Sequence, residues 1–266
     1  MLWRLIDDKP HNAFFNMAID EAISEAVREK LSPPTLRLYQ WVKPSITIGY
    51  FQTISDINLE YCKKKSYPII RRLTGGMAIL HDSELTYSFS SRNDTEPFRD
   101  SLIENYLSVS KALASALTLT NIDAQITLIK NRRQRNPFCF KISSYGEITV
   151  NGKKIIGSAQ KRYKNGFLQQ GSIMVDFDAE ELERILNNYN PPSPTGAMGG
   201  FSDEIGTIKK YAPAVSIEEL RKALKKAFEK TFMIKFISEG LTKFELNLAK
   251  KLEREKYSTK EWNSCR

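Results

Sequence analysis

The 266-residue chain is 41% hydrophobic with 14 Phe and 11 Tyr, which is enough apolar side chain to bury a sizeable core and excludes a disordered polymer. Forty Lys and Arg against 31 Asp and Glu give a net charge of +9, so an acidic partner is favoured: nucleic acid, nucleotide, membrane or acidic protein. Three Cys without close pairing exclude a disulfide framework and a zinc site. No apolar run reaches the roughly 18–20 residues that span a bilayer, and MLWRLIDDKP has no secretory pattern, so a soluble, cytoplasmic globular protein is expected.

Leu2–Asp7 predicts a short strand. Phe15, Ala18, Ile19, Ala22, Ile23 and Ala26 recur at helical spacing, which predicts an amphipathic helix with Asp20, Glu21 and Glu25 on its wet face. TLRLYQW and SITIGY follow as strands, then NLEYCKKK as a short helix with Cys62 as a small buried residue. PIIRR, MAIL and LTYSFS are further strand candidates, the last two flanking His81-Asp82-Ser83-Glu84 in a loop of hairpin length. A helix over 102–117 turns Leu102, Tyr106, Val109, Leu113 and Leu117 inward.

After the basic stretch KNRRQR comes YGEITV-NG-KKIIGSAQ, where Asn151-Gly152 predicts a two-residue hairpin turn with positive φ at both positions. Leu168–Val175 reads as a strand, AEELERIL as a helix, and Pro191–Gly200 as a loop or hinge. Helices over 217–233 and 242–254 close the chain, the first with Leu220, Leu224, Ala227 and Phe228 inward. Helices interleaved with hairpins favour an α+β fold with antiparallel or mixed sheet over a doubly wound one.

Three constellations bear on chemistry. In RRLTGGMAILHD the Gly75-Gly76 pair lets backbone approach a ligand, and Arg71 and Arg72 supply guanidinium forks suited to carboxyl or phosphate; equally, the segment is a strand, a turn and solvated arginines. The hairpin register sets Thr149 opposite Lys154 and puts Lys154, Ile156 and Ser158 on one face with Glu147, away from Ile148, Val150 and Ile155. Lys154 is then aimed at a cleft or at solvent, as most lysines are. Cys139, in NPFCFKISS, follows four basic residues that favour a thiolate, though two flanking Phe also suit a buried thiol. His11 and His81 are too few and too separated for a metal site, and no GxSxG elbow exists.

In combination, FNMAIDEA (15–22), SITIGYFQ (45–52), RRLTGGMAILHD (71–82), VNGKKIIGSAQKR (150–162) and LQQGSIM (168–174) resemble the biotin/lipoate protein ligase superfamily in its lipoate-ligase-A branch. The match runs in the family's order from the first strand to KYSTKEWN. The resemblance implies two mixed or antiparallel β-sheets flanked by helices, in one catalytic domain over 1–266. Residues 1–200 would be its core and 201–266 a mainly helical C-terminal part, without a separate accessory domain.

Within the family the chain is most similar to single-domain octanoyltransferases. NPFCF resembles their cysteine loop, ELTYS follows the His-Asp pair, and the sequence ends after EWN. One departure is Gln170, where the family commonly carries a histidine. The implied reaction moves octanoyl from octanoyl-acyl carrier protein through a Cys139 thioester to a lysine of a lipoyl domain or glycine-cleavage H protein. The resemblance implies that Lys154 stands beside the acyl carbonyl and that Arg71, Arg72, Thr74, Gly75, Gly76, His81, Gly157, Ser158 and Ala159 bind substrate. This route implies no metal, no cofactor, no nucleic acid and no membrane. The alternative in the same family is an ATP- and Mg²⁺-dependent lipoate ligase with a separate accessory subunit. A binding-only protein and a nucleic-acid binder are the remaining readings.

Overall fold

A computed structural model describes residues 1–128, 146–187 and 205–265. Cys139, the basic stretch at 130–135 and the Pro191–Gly200 loop lie outside the described residues.

The main sheet has eight strands in the order β11-β1-β2-β6-β10-β9-β8-β7. They are β1 (Leu2–Asp7), β2 (Thr35–Tyr39), β6 (Glu84–Arg92), β7 (Gln125–Ile126), β8 (Ile148–Val150), β9 (Lys153–Tyr163), β10 (Gly166–Met174) and β11 (Lys235–Ser238). Parallel pairing at β11-β1-β2 gives way to antiparallel pairing from β2 onward, so the sheet is mixed, as the interleaved pattern predicted. A second sheet, β4-β3-β5, is built from β3 (Ser45–Ile48), β4 (Ile69–Arg71) and β5 (Ile79–His81). Because β5 and β6 belong to different sheets, His81–Glu84 is a crossing between layers and not the hairpin its length suggested.

On one face of the main sheet lie α3 (Leu102–Leu119) and α6 (Ile217–Phe232). Trp3, Phe89, Phe98, Phe167, Phe228 and Phe232 interlock there as the largest core. Leu220, Leu224, Ala227 and Phe228 are buried as the helical spacing required, and full burial of each large side chain contributes about 1.5–3 kcal/mol. Leu102, expected inward, is 43% exposed, since it opens the first turn of α3 beyond the reach of the core.

The opposite face carries α1 (Ala13–Arg28) and α7 (Lys243–Leu252). Asn12 caps α1 by accepting from the Phe15 amide, and Thr242 with Glu245 forms a capping box on α7. Glu245 is spent twice, because it also pairs with the buried Arg4 of β1. The short α2 (Leu59–Lys64) and α4 (Ala179–Ile185) cover the small sheet with Cys62, Leu182 and Ile185 inward, and the single turn α5 (Ile208–Tyr211) follows. Strand β11 pairs with β1, so the C-terminal part shares the sheet with the N-terminal strand.

The Asn151-Gly152 turn forms as predicted, with φ of 49° and 75°. Thr149 pairs with Lys154 and Val150 with Lys153, but a register shift between Ile148 and Thr149 sets Ile148 opposite Ile156. Strict alternation fails at that bulge, and Ile148, Ile155 and Ile156 all join the core.

Candidate active site

Where the small sheet faces β6, β9 and β10, the layers leave a narrow, mostly apolar cavity with about 20 Å³ of free volume, open to solvent on one side. Met17 of α1, Tyr39 and Trp41 at the end of β2, and Ile79 of β5 supply its apolar wall. Gly157–Ala159 on β9 and Gln170-Gly171 on β10 supply the opposite wall, where Ser158 pairs with Gly171 and Ala159 with Gln170. Gly171 admits no side chain: a Cβ there would overlap the Tyr87 ring and come within 2.8 Å of Ser158 Oγ. Tyr87 Oη and Ser158 Oγ lie 2.7 Å apart across it, and burial pushes the Tyr87 phenol up to about 12.

Behind one wall stands Asp20, 1% exposed. The helical pattern had put it on the wet face; the structure turns Asn16, Asp20 and Ser24 inward as a buried polar stripe beside the apolar one. One carboxylate oxygen accepts from Arg37 Nη1 at 2.8 Å and Ser88 Oγ at 2.7 Å. The other accepts from Tyr39 Oη at 2.8 Å and Gln170 Nε2 at 2.6 Å. Burial, with Asp20 next, holds the Tyr39 phenol well above its ordinary value, so it stays a donor. Arg37 is itself fully buried and also donates to Asp8 and to Asn16.

Behind the other wall stands Glu84, also 1% exposed. It accepts from His81 Nδ1 at 2.6 Å and from the hydroxyls of Thr86 and Ser172. His81 Nε2 lies 2.8 Å from Thr47 Oγ1, and the imidazole stacks on Trp41 with ring centroids 4.1 Å apart. Trp41 is fixed in turn by a 2.7 Å bond from its indole N–H to Thr86.

The structure brings five of the sequence-predicted residues to the cavity: Arg72, His81, Gly157, Ser158 and Ala159. Arg72 reaches across the small sheet, donating to Thr47 O at 3.2 Å, Gly75 O at 2.6 Å and Met77 O at 2.8 Å. Together with the Tyr50 amide on Thr74 O, it rigidifies the Thr74-Gly75-Gly76 turn. Thr74 meets the cavity through Gln170, to which its hydroxyl donates at 3.0 Å. Gly76 packs so closely on Gly49 that a Cβ at Gly49 would overlap the Gly76 carbonyl.

Arg71 faces elsewhere. Its guanidinium donates to the carbonyls of Gly49, Tyr50 and Gln52 on one side and of Trp262 and Asn263 on the other. Lys154, expected at a cleft or in solvent, is 1% exposed and paired with the buried Glu147. It sits three residues before Gly157 on β9, about 10 Å along the strand. Burial pushes the Cys62 thiol up to about 11, which makes it a poor nucleophile at neutral pH. Among the described residues, no group of three or more His, Cys, Asp or Glu is placed to hold a metal ion, and no helix is long and apolar enough to cross a membrane.

Asp20, Glu84 and Trp41 were not singled out from sequence. A signal existed for Asp20: Arg37 sits mid-strand in TLRLY, and a buried guanidinium needs a carboxylate.

A two-sheet α+β frame with an apolar slot and a few polar groups behind its walls has the form of a small-molecule site. The chain belongs to the lipoyl protein ligase A/B catalytic domain family, whose profile matches residues 12–229. Among curated relatives, octanoyltransferase LipM of Clostridioides difficile is 36% identical over 275 residues, 99% of each chain. Octanoyltransferase LipM of Carboxydothermus hydrogenoformans is 34% identical over 262 residues, covering 98% of this chain and 97% of that one. Among solved structures, a bi-partite lipoate protein ligase from Thermoplasma acidophilum superposes with a TM-score of 0.83 at 27% identity, over 99% of this chain and 96% of that one. A lipoate-protein ligase A bound with ATP gives the same TM-score at 28% identity, over 99% of each chain.

Proposed function

We propose that this protein is an octanoyltransferase of protein lipoylation, taking octanoyl from octanoyl-acyl carrier protein and passing it to a lysine of a lipoyl domain or of glycine-cleavage H protein. The observation that carries this reading is the end-to-end similarity to LipM octanoyltransferases at 34–36% identity. The apolar cavity supports it, since an octanoyl chain offers little besides methylenes to recognise.

In the first step the Cys139 thiolate attacks the thioester carbonyl, and the carrier's thiol leaves after taking up the proton that the cysteine lost. In the second step the acceptor lysine, as free amine, attacks the acyl-enzyme, an amide forms, and the cysteine thiol is regenerated. Lys154 stabilises the developing oxyanion and favours the thiolate. His81, Gly157, Ser158 and Ala159 line the chain's path, Arg72 and Thr74-Gly75-Gly76 shape its mouth, and Arg71 braces the Gly49–Gln52 segment behind it. A thioester is already activated, so neither step calls for ATP or a metal.

The ligase reading draws on the ATP-bound relative. It is disfavoured by Arg71, whose guanidinium is engaged by backbone carbonyls of this chain and does not line the cavity. The net charge of +9 suits acidic carrier and acceptor proteins.

The test is octanoyl transfer from octanoyl-acyl carrier protein to a purified lipoyl domain, followed by the mass of the acceptor, with and without ATP. Transfer without ATP is expected. Acceptor modification that requires lipoate, ATP and Mg²⁺ would make the protein a ligase.

A further inference from the structure

Gln170 lines the cavity from β10, and each end of its side-chain amide has a defined partner. An ionised carboxylate only accepts hydrogen bonds. The group 2.6 Å from the Asp20 carboxylate is therefore the amide nitrogen, and the amide oxygen is turned to Thr74. The remaining N–H contacts Met17 Sδ at 3.7 Å, one helical turn before Asp20 on α1. The orientation is over-determined, because Arg37, Ser88 and Tyr39 all donate to the same carboxylate and hold it still. A primary amide in this network takes up no proton.

We propose that Asp20 is a positioning residue for the acyl site: its carboxylate locks the Gln170 amide in one orientation, and Gln170 holds the Thr74 hydroxyl and with it the Thr74-Gly75-Gly76 turn. The relay runs from α1 through β10 to the turn beside the small sheet. It acts on substrate only through the wall it shapes, so its loss weakens acyl-donor binding more than it slows the chemistry. The inference rests on the octanoyl reading of the cavity.

The variants are D20N, Q170E, T74V and the exchanged pair D20N/Q170E. Each is followed by KM and kcat for octanoyl-acyl carrier protein, by calorimetric binding of octanoic acid, and by thermal midpoint. In D20N the one remaining carbonyl oxygen stays on the Arg37 guanidinium and the new amino group turns to Gln170, which must flip to accept from it. The expected result is a KM about tenfold higher with kcat within about threefold, the size of one good hydrogen bond. Q170E sets two carboxylates in contact and loses more. The exchanged pair restores one amide against one carboxylate and is expected to return KM to within about threefold of wild type, a coupling that purely structural damage does not produce. T74V keeps shape and fold and breaks the last bond alone, raising KM about fivefold.

Wild-type KM in D20N and T74V overturns the relay, and so does a doubly substituted protein whose loss is the product of the two single losses. If D20N does not fold, T74V decides. If wild type transfers no octanoyl group, the proposed activity fails, and the relay is then judged by octanoic acid binding across the same variants.

Discussion

On one side of the cavity a buried carboxylate meets a permanent cation, and on the other it meets an imidazole. Asp20 pairs with Arg37, which is charged at every working pH, and spends its remaining lone pairs on Tyr39, Ser88 and Gln170. Glu84 pairs with His81, which is on the wall itself and stacks on Trp41. The Asp20 side is thus a fixed scaffold, its carboxylate held by four donors. The Glu84 side holds a ring whose orientation depends on one carboxylate and one indole. A buried carboxylate is not informative by itself; the partner decides whether it is a strut or the anchor of a ring on the cavity wall.

Several substitutions break or sharpen that contrast, here ordered by their effect on octanoyl transfer. G171A strikes the wall both sides share, driving a methyl group into Tyr87 and Ser158. Displacement of a reacting group by about an ångström costs on the order of a hundredfold in rate, and a loss of that size is expected in a transfer assay. E84Q leaves fold and cavity volume intact but gives His81, Thr86 and Ser172 one acceptor oxygen in place of two. About 1–3 kcal/mol of stability and about tenfold in transfer are expected to go, read by thermal unfolding and by kcat/KM.

Q170H tests the scaffold side by making it titratable. An imidazole there is favoured in its charged form by Asp20 and disfavoured in it by burial and by Arg37. On losing a proton the ring keeps one N–H for Asp20 and frees its other nitrogen to accept from Thr74, so the neutral ring can make both bonds that Gln170 makes. One inflection in kcat/KM beyond those of wild type is expected in the variant. E245Q is the comparison away from the cavity. Burial pushes the Glu245 carboxyl up, but hydrogen bonds from Arg4, the Thr242 amide and Ser32 outweigh it and hold the group below the usual carboxylate range. A depressed native value means the stabilisation is present above the ordinary carboxylate pKa near ~4.3 and lost as pH falls through the native one. E245Q is therefore less stable than wild type at neutral pH, by about 3 kcal/mol, and the gap narrows in acid while transfer by the folded protein is unchanged.

Much of the fold was legible because single elements declare themselves. Strand β1, helix α1, the Asn151-Gly152 turn and the inner face of α6 all follow local periodicity or turn chemistry. What periodicity could not give was membership of a sheet: the segment His81–Glu84 has hairpin length yet joins two layers. It also missed the bulge that brings both Ile155 and Ile156 into the core. The site was legible through its glycine- and lysine-centred motifs, which brought forward Arg72, His81 and Gly157–Ala159. The carboxylates behind the walls were not, because Asp20 and Glu84 are charged residues at positions where a helix or strand pattern alone puts solvent. Only the partners that converge on them from β2, β5, β6 and β10 explain their burial.

The central claim is that Cys139 carries the acyl group. The most direct measurement is the intact-protein mass after incubation with octanoyl-acyl carrier protein in the absence of ATP, for wild type and C139S. A single octanoyl adduct that hydroxylamine removes, and that C139S does not form, is the predicted result. No adduct from the thioester, in a protein that instead forms an adenylate from lipoate, ATP and Mg²⁺, would contradict it.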